Sequence, residues 1–247
     1  FNINSFVEKI KNLTKTEMKT GRKIDVDHVS ITEGVFSLDA RQKAHIKNRF
    51  DHNHFVLEEI EAQLSRFSVH EDTIAFISKK LSASEHKSEL RIHNLLTHFE
   101  ISNSRLLLDE LDAQIGSSHL KDSLLFTYSN MKNLSYFTDS VNMSANFENS
   151  NLYSQDLAVF VPYFKQIKEQ DRFTGTVNGK VGSLNIRNFD LVFGRNSYLR
   201  GRASFDGLPD IENTFIDISL RNSEIFDTDL NQYVKNEAFT RYNRFSR

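Results

Sequence analysis

The sequence contains no cysteine and no tryptophan, and among its 247 residues only 2 are proline and 9 are glycine. Without cysteine there is no disulfide, no thiolate metal site and no cysteine nucleophile. The scarcity of proline and glycine argues against a long disordered linker. No apolar run approaches the roughly 20 residues that a transmembrane helix needs. The net charge of -2 gives no electrostatic reason to expect nucleic acid as a partner.

The sequence is instead rich in short stretches of alternating apolar and polar residues. From Phe173 to Leu220 the alternation has a period of two, which is typical of half-buried β-strands. Turn residues interrupt it at Gly182, at Gly194–Ser197 and at Asp206–Asp210. A slip of the alternation at Arg187–Asn188 predicts a bulge or a short turn. This region therefore predicts an antiparallel meander.

The remainder of the chain continues the strand pattern. Short helices are predicted at 131–137 and 154–160, the second with Ser154 as a candidate N-cap. Residues 8–20 are polar and are predicted as a solvated helix or loop, and residues 40–53 as a loop or the end of a strand. The sequence shows no alternation of strands with helices, so a parallel sheet is not predicted. The additional predicted strands are 1–6, 24–31, 35–39, 55–69, 73–81, 90–101, 106–115, 124–128 and 141–147.

The pattern predicts an all-β fold with a few short helices. Two architectures remain open at this level, because an apolar strand face serves both of them. One is a sandwich or barrel with a closed core. The other is a long antiparallel sheet curled into an open trough whose apolar inner face contacts lipid.

Catalytic residue patterns are weak. Acidic pairs such as Asp25 with Asp27, or Asp109 with Asp112, are expected by chance among 33 acidic residues and fit a solvated strand face. A catalytic pair needs a cleft and shifted pKa values. No G-x-S-x-G elbow is present. We therefore expect that the protein is not an enzyme.

Metal and phosphate motifs are equally weak. His52 and His54 share one side if they lie on a strand, with Asp51 on the opposite side. Zinc sites need three or four ligands. We therefore interpret these residues as surface histidines beside a turn and predict no metal. Gly175 and Gly179 lack the following Gly-Lys-Ser/Thr of a phosphate-binding loop. No cofactor is predicted.

A family resemblance adds a functional hypothesis. The motif G-x-V-x-G-x-V begins at Gly175, G-R-N-S-x-L-x-G-x-A begins at Gly194, and G-L-P-D-I begins at Gly207. This order resembles the Bacteroidetes-type TamB proteins of the AsmA-like translocation and assembly module family. A strand that enters a short helix at Leu152–Phe164 is similar to the same family, and Asp227–Leu230 looks like the start of another such helix, which suggests a degenerate repeat.

The resemblance implies a long twisted sheet folded into a hydrophobic groove, a β-taco, as in bridge-like lipid-transfer proteins. It implies a non-enzymatic role in the periplasm of the Gram-negative cell envelope. The implied ligand is phospholipid moving toward the outer membrane. The implied partner is a TamA-like outer-membrane β-barrel assembly protein, and the implied inner-membrane anchor lies outside this segment. The alternative is a structural or adhesive β-rich scaffold subunit of an envelope complex.

The resemblance also sets expectations for organisation. Since the sequence starts at Phe1 and not at methionine, we expect it to be a piece of a longer protein. Its predicted parts are 1–50, N-terminal strands and polar linker; 51–172 and 173–232, two groove repeats; and 233–247, a basic aromatic tail. The residues predicted to line the groove are Val177, Val181, Leu184, Ile186, Leu191, Leu199, Ala203, Phe205, Ile216, Ile218 and Leu220.

Overall fold

A computed structural model describes residues 23–88 and 90–233 and contains one antiparallel sheet of eleven strands in chain order. The sheet is open, with β1 and β11 as its edges. The all-β fold class is therefore confirmed. The strands are β1 Ile24–Asp39, β2 His54–His70, β3 Thr73–Glu85, β4 Arg91–Ile101, β5 Arg105–Ile115, β6 Ser118–Thr127, β7 Asn142–Tyr153, β8 Gln170–Lys180, β9 Ser183–Phe193, β10 Ser197–Asp206 and β11 Phe215–Leu220.

The helices in the described part of the chain are short; five lie in connections between strands, and the last one follows β11. They are α1 Phe137–Ser140, α2 Ser154–Leu157, α3 Asp227–Leu230 and the 3₁₀ helices Met131–Tyr136, Pro162–Gln166 and Ile211–Asn213. Both predicted helical segments are thus confirmed, although α2 stops at Leu157. The prediction of Ser154 as N-cap is wrong. Tyr153 precedes the helix without a side-chain cap, and Ser154 is its buried first residue.

Strand boundaries depart from the prediction at the N-terminal edge. The predicted strands 24–31 and 35–39 form one strand, β1, and the predicted strand 55–69 is confirmed as β2. The predicted boundary between residues 172 and 173 falls inside β8, so both predicted groove repeats share one sheet. The predicted strand 1–6, the segment 8–20 and tail residues 234–247 lie outside the described residues.

Two rows of apolar residues run across the sheet on one face, which we call the inner face. Residues paired directly across antiparallel strands point to the same side. The Val177 row spans β3 to β11 and consists of Phe76, Phe99, Leu108, Leu124, Ala145, Val177, Ile186, Ala203 and Ile218. The Leu184 row spans all eleven strands and consists of Ile24, Val69, Ile74, Ile101, Leu106, Phe126, Met143, Gly179, Leu184, Phe205 and Ile216.

The opposite, outer face differs sharply in polarity. Between the two apolar rows lies a row that points outward and is mostly polar. It consists of Ser68, Ala75, Glu100, Leu107, Leu125, Ser144, Asn178, Asn185, Ser204 and Asp217. A sheet with one apolar and one polar face buries the apolar face against something else.

Bulges keep the apolar residues on the inner face where the alternation slips. The slip predicted at Arg187–Asn188 is a bulge inside β9, with Asn188 at φ 50°. It returns Phe189 and Leu191 to the side of Ile186. Arg66 has φ 51° at a register shift in β2 and produces the same change of phase. Further exposed polar residues with positive φ stand at register shifts, namely Glu33, Glu59, Glu110 and Asn149.

A latch between helix and hairpin occurs twice. In the first copy, the Asp156 carboxylate in α2 accepts a hydrogen bond from Ser118 Oγ (2.7 Å) at the β5–β6 turn. Ser118 Oγ in turn accepts from the N–H of Tyr153 (2.8 Å), the residue before the helix. Gly116 has φ 56°, and a Cβ there would clash with the Asp156 carboxylate. The β5–β6 turn is thereby fixed to the β7–β8 connection, which contains α2.

The second latch repeats these contacts at α3. Asp229 accepts from Ser197 Oγ (2.8 Å), and Ser197 Oγ accepts from the N–H of Phe226 (2.9 Å). Gly194 has φ 59° beside the Asp229 carboxylate, which also accepts from the N–H groups of the β9–β10 turn. The matching contacts support the repeat suggested by the two Asp-Leu helices.

The bulge in β9 gives the first prediction. Asn tolerates the left-handed region better than a β-branched residue does. We expect Asn188→Val to lower the free energy of unfolding by about 1–2 kcal/mol, while Asn188→Gly leaves it unchanged or raised. Urea unfolding measures both. The control is Asn185→Val on the outer face of the same strand, and an equal loss for the two valine variants contradicts the prediction.

The second prediction concerns the latch. Hydrogen bonds from the N–H groups of Asn196 and Arg195 lower the pKa of Asp229 from 3.8 to about 2. A lowered folded-state pKa stabilises the fold above pH 4, and this stabilisation is lost as pH falls toward 2. We expect Asp229→Asn to lower the melting temperature by several degrees at pH 7, with the difference from the parent shrinking below pH 4. Asp227→Asn, an exposed change in α3, is the control and leaves the melting temperature nearly unchanged.

Candidate functional site

The inner face of the sheet is the candidate site, and connections from both ends of the sheet fold over it. End A is where β1 passes to β2, and end B is where β2 passes to β3. The distance between these two ends is set by the length of the strands. In the middle of the sheet β6 has 10 residues and is about 33 Å long. Yet His52 from end A lies against Phe137 from end B, with ring centroids 5.9 Å apart. The two connections therefore meet above the sheet.

The N-terminal half of the inner face is covered by these connections. Met131 packs against the buried cluster of Val69, Ile74 and Ile101 in the Leu184 row. Phe137 makes an edge-to-face contact with Phe126 of the same row, with centroids 5.1 Å apart. The connections thus supply a partial second layer, and they identify the inner face as the side that is buried.

The β1–β2 connection also contacts the β7–β8 connection. Phe50 donates its N–H to the carbonyl oxygen of Val159 (2.6 Å), and its ring lies 5.7 Å from that of Phe160. The same ring packs against Phe55 of β2 at 5.4 Å. Segments from distant parts of the chain therefore close over the inner face at end A.

Ten of the eleven residues predicted to line the groove lie on the inner face. Val177 and Ala203 are buried, while Leu184, Ile186, Leu191, Leu199 and Phe205 are half-buried. The β11 residues are more accessible, with exposed fractions of 42% for Ile216, 48% for Ile218 and 45% for Leu220. Their pairing across strands places the set in continuous rows.

Val181 is the exception. The alternation predicts that Val181 continues the strand face of Val177, but β8 ends at Lys180 and β9 begins at Ser183. Val181 therefore lies in the turn between them, half-buried and outside the rows. The two-residue turn at this position interrupts the alternation one residue earlier than the sequence pattern suggests.

A polar cluster interrupts the inner face at end A. Asp171 of β8 accepts a hydrogen bond from the hydroxyl of Tyr233, whose ring packs edge-to-face on Phe193 at 5.4 Å. Burial raises the pKa of Asp171 to about 6, partly opposed by the tyrosine hydrogen bond. Burial and Asp171 together raise the pKa of Tyr233. A protonated carboxyl here fits its apolar surroundings better than a carboxylate does.

A second polar cluster involves histidine. Asp51 Oδ2 lies 3.0 Å from Nδ1 of His54 and 3.2 Å from Nδ1 of His45. Burial raises the pKa of Asp51, but the N–H of Ile46 and the other hydrogen bonds outweigh burial and hold its pKa below 3.8. Asp51 and His54 are both buried, whereas the side chain of His45 is 66% exposed.

This arrangement corrects the prediction for the same segment. Asp51 does not point away from His54, because residues 51–53 form a turn and β2 begins only at His54. His52 instead faces the end-B connection, where burial lowers its pKa. Sequence reasoning missed His45 as a partner because it approaches through a connection of irregular conformation.

The acidic pairs considered from the sequence lie on the surface. Asp25 and Asp27 are exposed, and Asp25 forms a 3.2 Å ion pair with Lys23. Asp109 is also exposed, and Asp112 bonds His119 on the neighbouring strand at 2.7 Å. They therefore occupy solvated positions on strands and not a common cleft.

Comparison with known proteins gave no match to any family model, to any curated protein or to any solved structure. Within residues 23–88 and 90–233, no helix is long and apolar enough to cross a membrane. The inner face therefore has to be interpreted from its own geometry.

The buried carboxyl gives the third prediction. A folded-state pKa of about 6, above the ordinary 3.8, means that Asp171 stabilises the fold below pH 4 and that this stabilisation is lost as pH rises through 6. We expect Asp171→Asn to flatten the decline in unfolding free energy between pH 4 and pH 7. Denaturant unfolding at several pH values measures the slope. The exposed change Asp206→Asn is the control, and identical slopes for parent and Asp171→Asn contradict the prediction.

Proposed function

We propose that the chain is a non-enzymatic segment of a TamB-like envelope protein that carries phospholipid acyl chains along the inner face of its sheet. The observation that carries the proposal is the pair of apolar rows running without a polar interruption across β3 to β11. The core of a small globular protein does not need apolar rows that cross this many strands. Each acyl CH₂ that leaves water on this face gains about 0.8 kcal/mol.

The lipid-carrying part of the face lies toward β11. There Ile216 and Ile218 remain 42% and 48% exposed, although they belong to the apolar rows. In β9, two strands away, Ile186 and Leu184 are half-buried residues of the same rows. Acyl chains would lie against these side chains, with headgroups in water at the edge. Contiguous exposed apolar surface of this kind marks an interaction site.

The wider setting is proposed from the resemblance to TamB-like proteins that the motifs between Gly175 and Ile211 carry. We place the protein in the periplasm, with an inner-membrane anchor outside this segment and a TamA-like β-barrel partner at the outer membrane. Phospholipid transfer and outer-membrane protein assembly are both compatible with this setting. The support is the motif order together with an antiparallel sheet of the expected kind.

A specific observation favours a second candidate, a structural scaffold. Connections from the two ends of the sheet meet above its N-terminal half where His52 contacts Phe137. Two end-A connections also meet where Phe50 contacts Phe160. A face closed by its own connections has less room for a ligand. The two candidates therefore differ in what contacts Ile218 and Ile186.

The fourth prediction separates these candidates. A photocrosslinking amino acid is placed at Ile186 or Ile218 on the inner face, or at Asn185 or Asp217 on the outer face of the same strands. The protein is produced in a Gram-negative host and purified in mild detergent. We expect crosslinked phospholipid at the two inner positions and none at the outer positions, as measured by mass spectrometry after lipid extraction.

Position 218 has an additional test that leaves the fold intact. Because Ile218 is exposed on an edge strand, Ile218→Glu should abolish lipid crosslinking from position 186 without unfolding the sheet. Asp217→Glu is the matched control. If both inner positions crosslink only to protein, the lipid proposal is wrong and the scaffold is the better assignment.

A further inference from the structure

The cluster of His45, Asp51 and His54 has the donor set of a transition-metal site. One ligand atom from each residue lies within 4.8 Å of the others. Imidazole nitrogen and carboxylate oxygen are ligands that suit zinc. Asp51 and His54 are only 6% exposed, so two of the three donors are held away from water.

Both ring nitrogens of His54 face oxygens that accept hydrogen bonds, whereas a neutral imidazole has only one N–H. When His54 donates to the carbonyl oxygen of Ala40, 3.2 Å away, Nε2 carries that proton. A neutral imidazole then has a lone pair on Nδ1, facing the Asp51 carboxylate oxygen at 3.0 Å. Two acceptors at this distance repel each other. Either a second proton or a metal cation must lie between them.

The distances suit a metal cation. With zinc–nitrogen and zinc–oxygen bonds of about 2.0–2.1 Å, neighbouring ligand atoms of a tetrahedral site lie about 3.3 Å apart. The Nδ1 atoms of His54 and His45 are 3.0 and 3.2 Å from Asp51 Oδ2. Small outward shifts would therefore admit an ion. The exposed side chain of His45 can make this adjustment without disturbing the buried pair.

The hydrogen-bond partners of His54 and Asp51 are also of the kind found around metal ligands. Metal-bound histidine commonly donates its second N–H to a carbonyl, as His54 does to Ala40. Asp51 is oriented by the N–H groups of Ile46 and Asn53, both at 3.1 Å. These contacts fix the carboxylate and one imidazole before any ion binds.

A cavity of about 870 Å³ is lined by all three residues of the cluster. Glu85 also lines this cavity, and its Oε1 is buried without a hydrogen-bond partner among the described residues. Three basic residues line the cavity as well, Arg49, Lys87 and Lys165. Of these, Lys87 directs its Nζ to the carbonyl oxygen of His54 at 3.3 Å, not to a carboxylate of the cluster.

We propose that His45, Asp51 and His54 bind one divalent transition-metal ion, with zinc as the principal candidate and one position open to the cavity. The ion would tie the β1–β2 connection to the first residue of β2. This site is independent of the lipid-binding proposal, since it lies at end A and uses none of the groove residues.

The fifth prediction tests this site in the full chain. After treatment with EDTA, titration calorimetry with Zn²⁺ should show one ion per chain, and Co²⁺ should give the intense visible absorption of a tetrahedral complex. We expect His45→Ala to weaken zinc binding at least about tenfold. Because His45 is largely exposed, this variant retains the fold. Zinc should also raise the melting temperature of the parent and not that of His45→Ala.

His52→Ala is the matched control, since His52 lies in the same connection but points away from the cluster. It should bind zinc as the parent does. Equal weakening by His45→Ala and His52→Ala overturns the proposal. So does a metal-free protein that takes up no zinc and in which NMR shows His54 protonated on both ring nitrogens, because an imidazolium–carboxylate pair then accounts for the geometry.

Discussion

The pairing of apolar residues across neighbouring strands is the constraint on which this structure depends. A single sheet has two faces, and a shift of one residue in register exchanges them. Bulges at polar residues such as Asn188 and Arg66 absorb each slip in the sequence and return the apolar side chains to the inner face. The rows are therefore a property of register, and register here is set by both sequence alternation and bulge position.

The connections complete what the sheet alone leaves open. Met131 and Phe137 cover the Leu184 row from end B, and Phe50 covers Phe55 from end A. The Asp156 latch holds the β5–β6 turn to the β7–β8 connection, and the Asp229 latch holds the β9–β10 turn to the segment after β11. An apolar face can thus be partly protected without a second sheet, while its β11 edge stays accessible.

Much of the fold follows from local pattern. Period-two alternation, Gly-Asn turn chemistry and a phase slip predict the strands, the β9–β10 hairpin and the Asn188 bulge, because each depends on a few adjacent residues. The inner-face assignment of Ile186 and Ile218 follows from the same alternation. The prediction for Val181 is wrong because the turn begins one residue earlier than the pattern suggests, and Val181 therefore lies outside the strand.

What the sequence does not reveal depends on contacts between distant segments. No local pattern indicates that residues 40–53 fold back over the sheet or that His45 approaches Asp51 and His54. The two latches do share a sequence signature. A glycine and a serine in a turn, paired with an aspartate in an aromatic-x-x-Asp-Leu segment, occur in both copies. Recognising such a pair before the structure requires knowing which hairpin lies beside which helix.

The agreement between strand order and chain order has a consequence for how the molecule assembles. Every strand pairs with the strand that immediately precedes it, so β2 needs only β1 as a template and β11 needs only β10. Closing each pair requires only a loop, and long-range pairing does not have to wait for the C-terminus. The sheet can therefore form strand by strand while the chain is being synthesised. Each added strand gains stability from contacts with its neighbour.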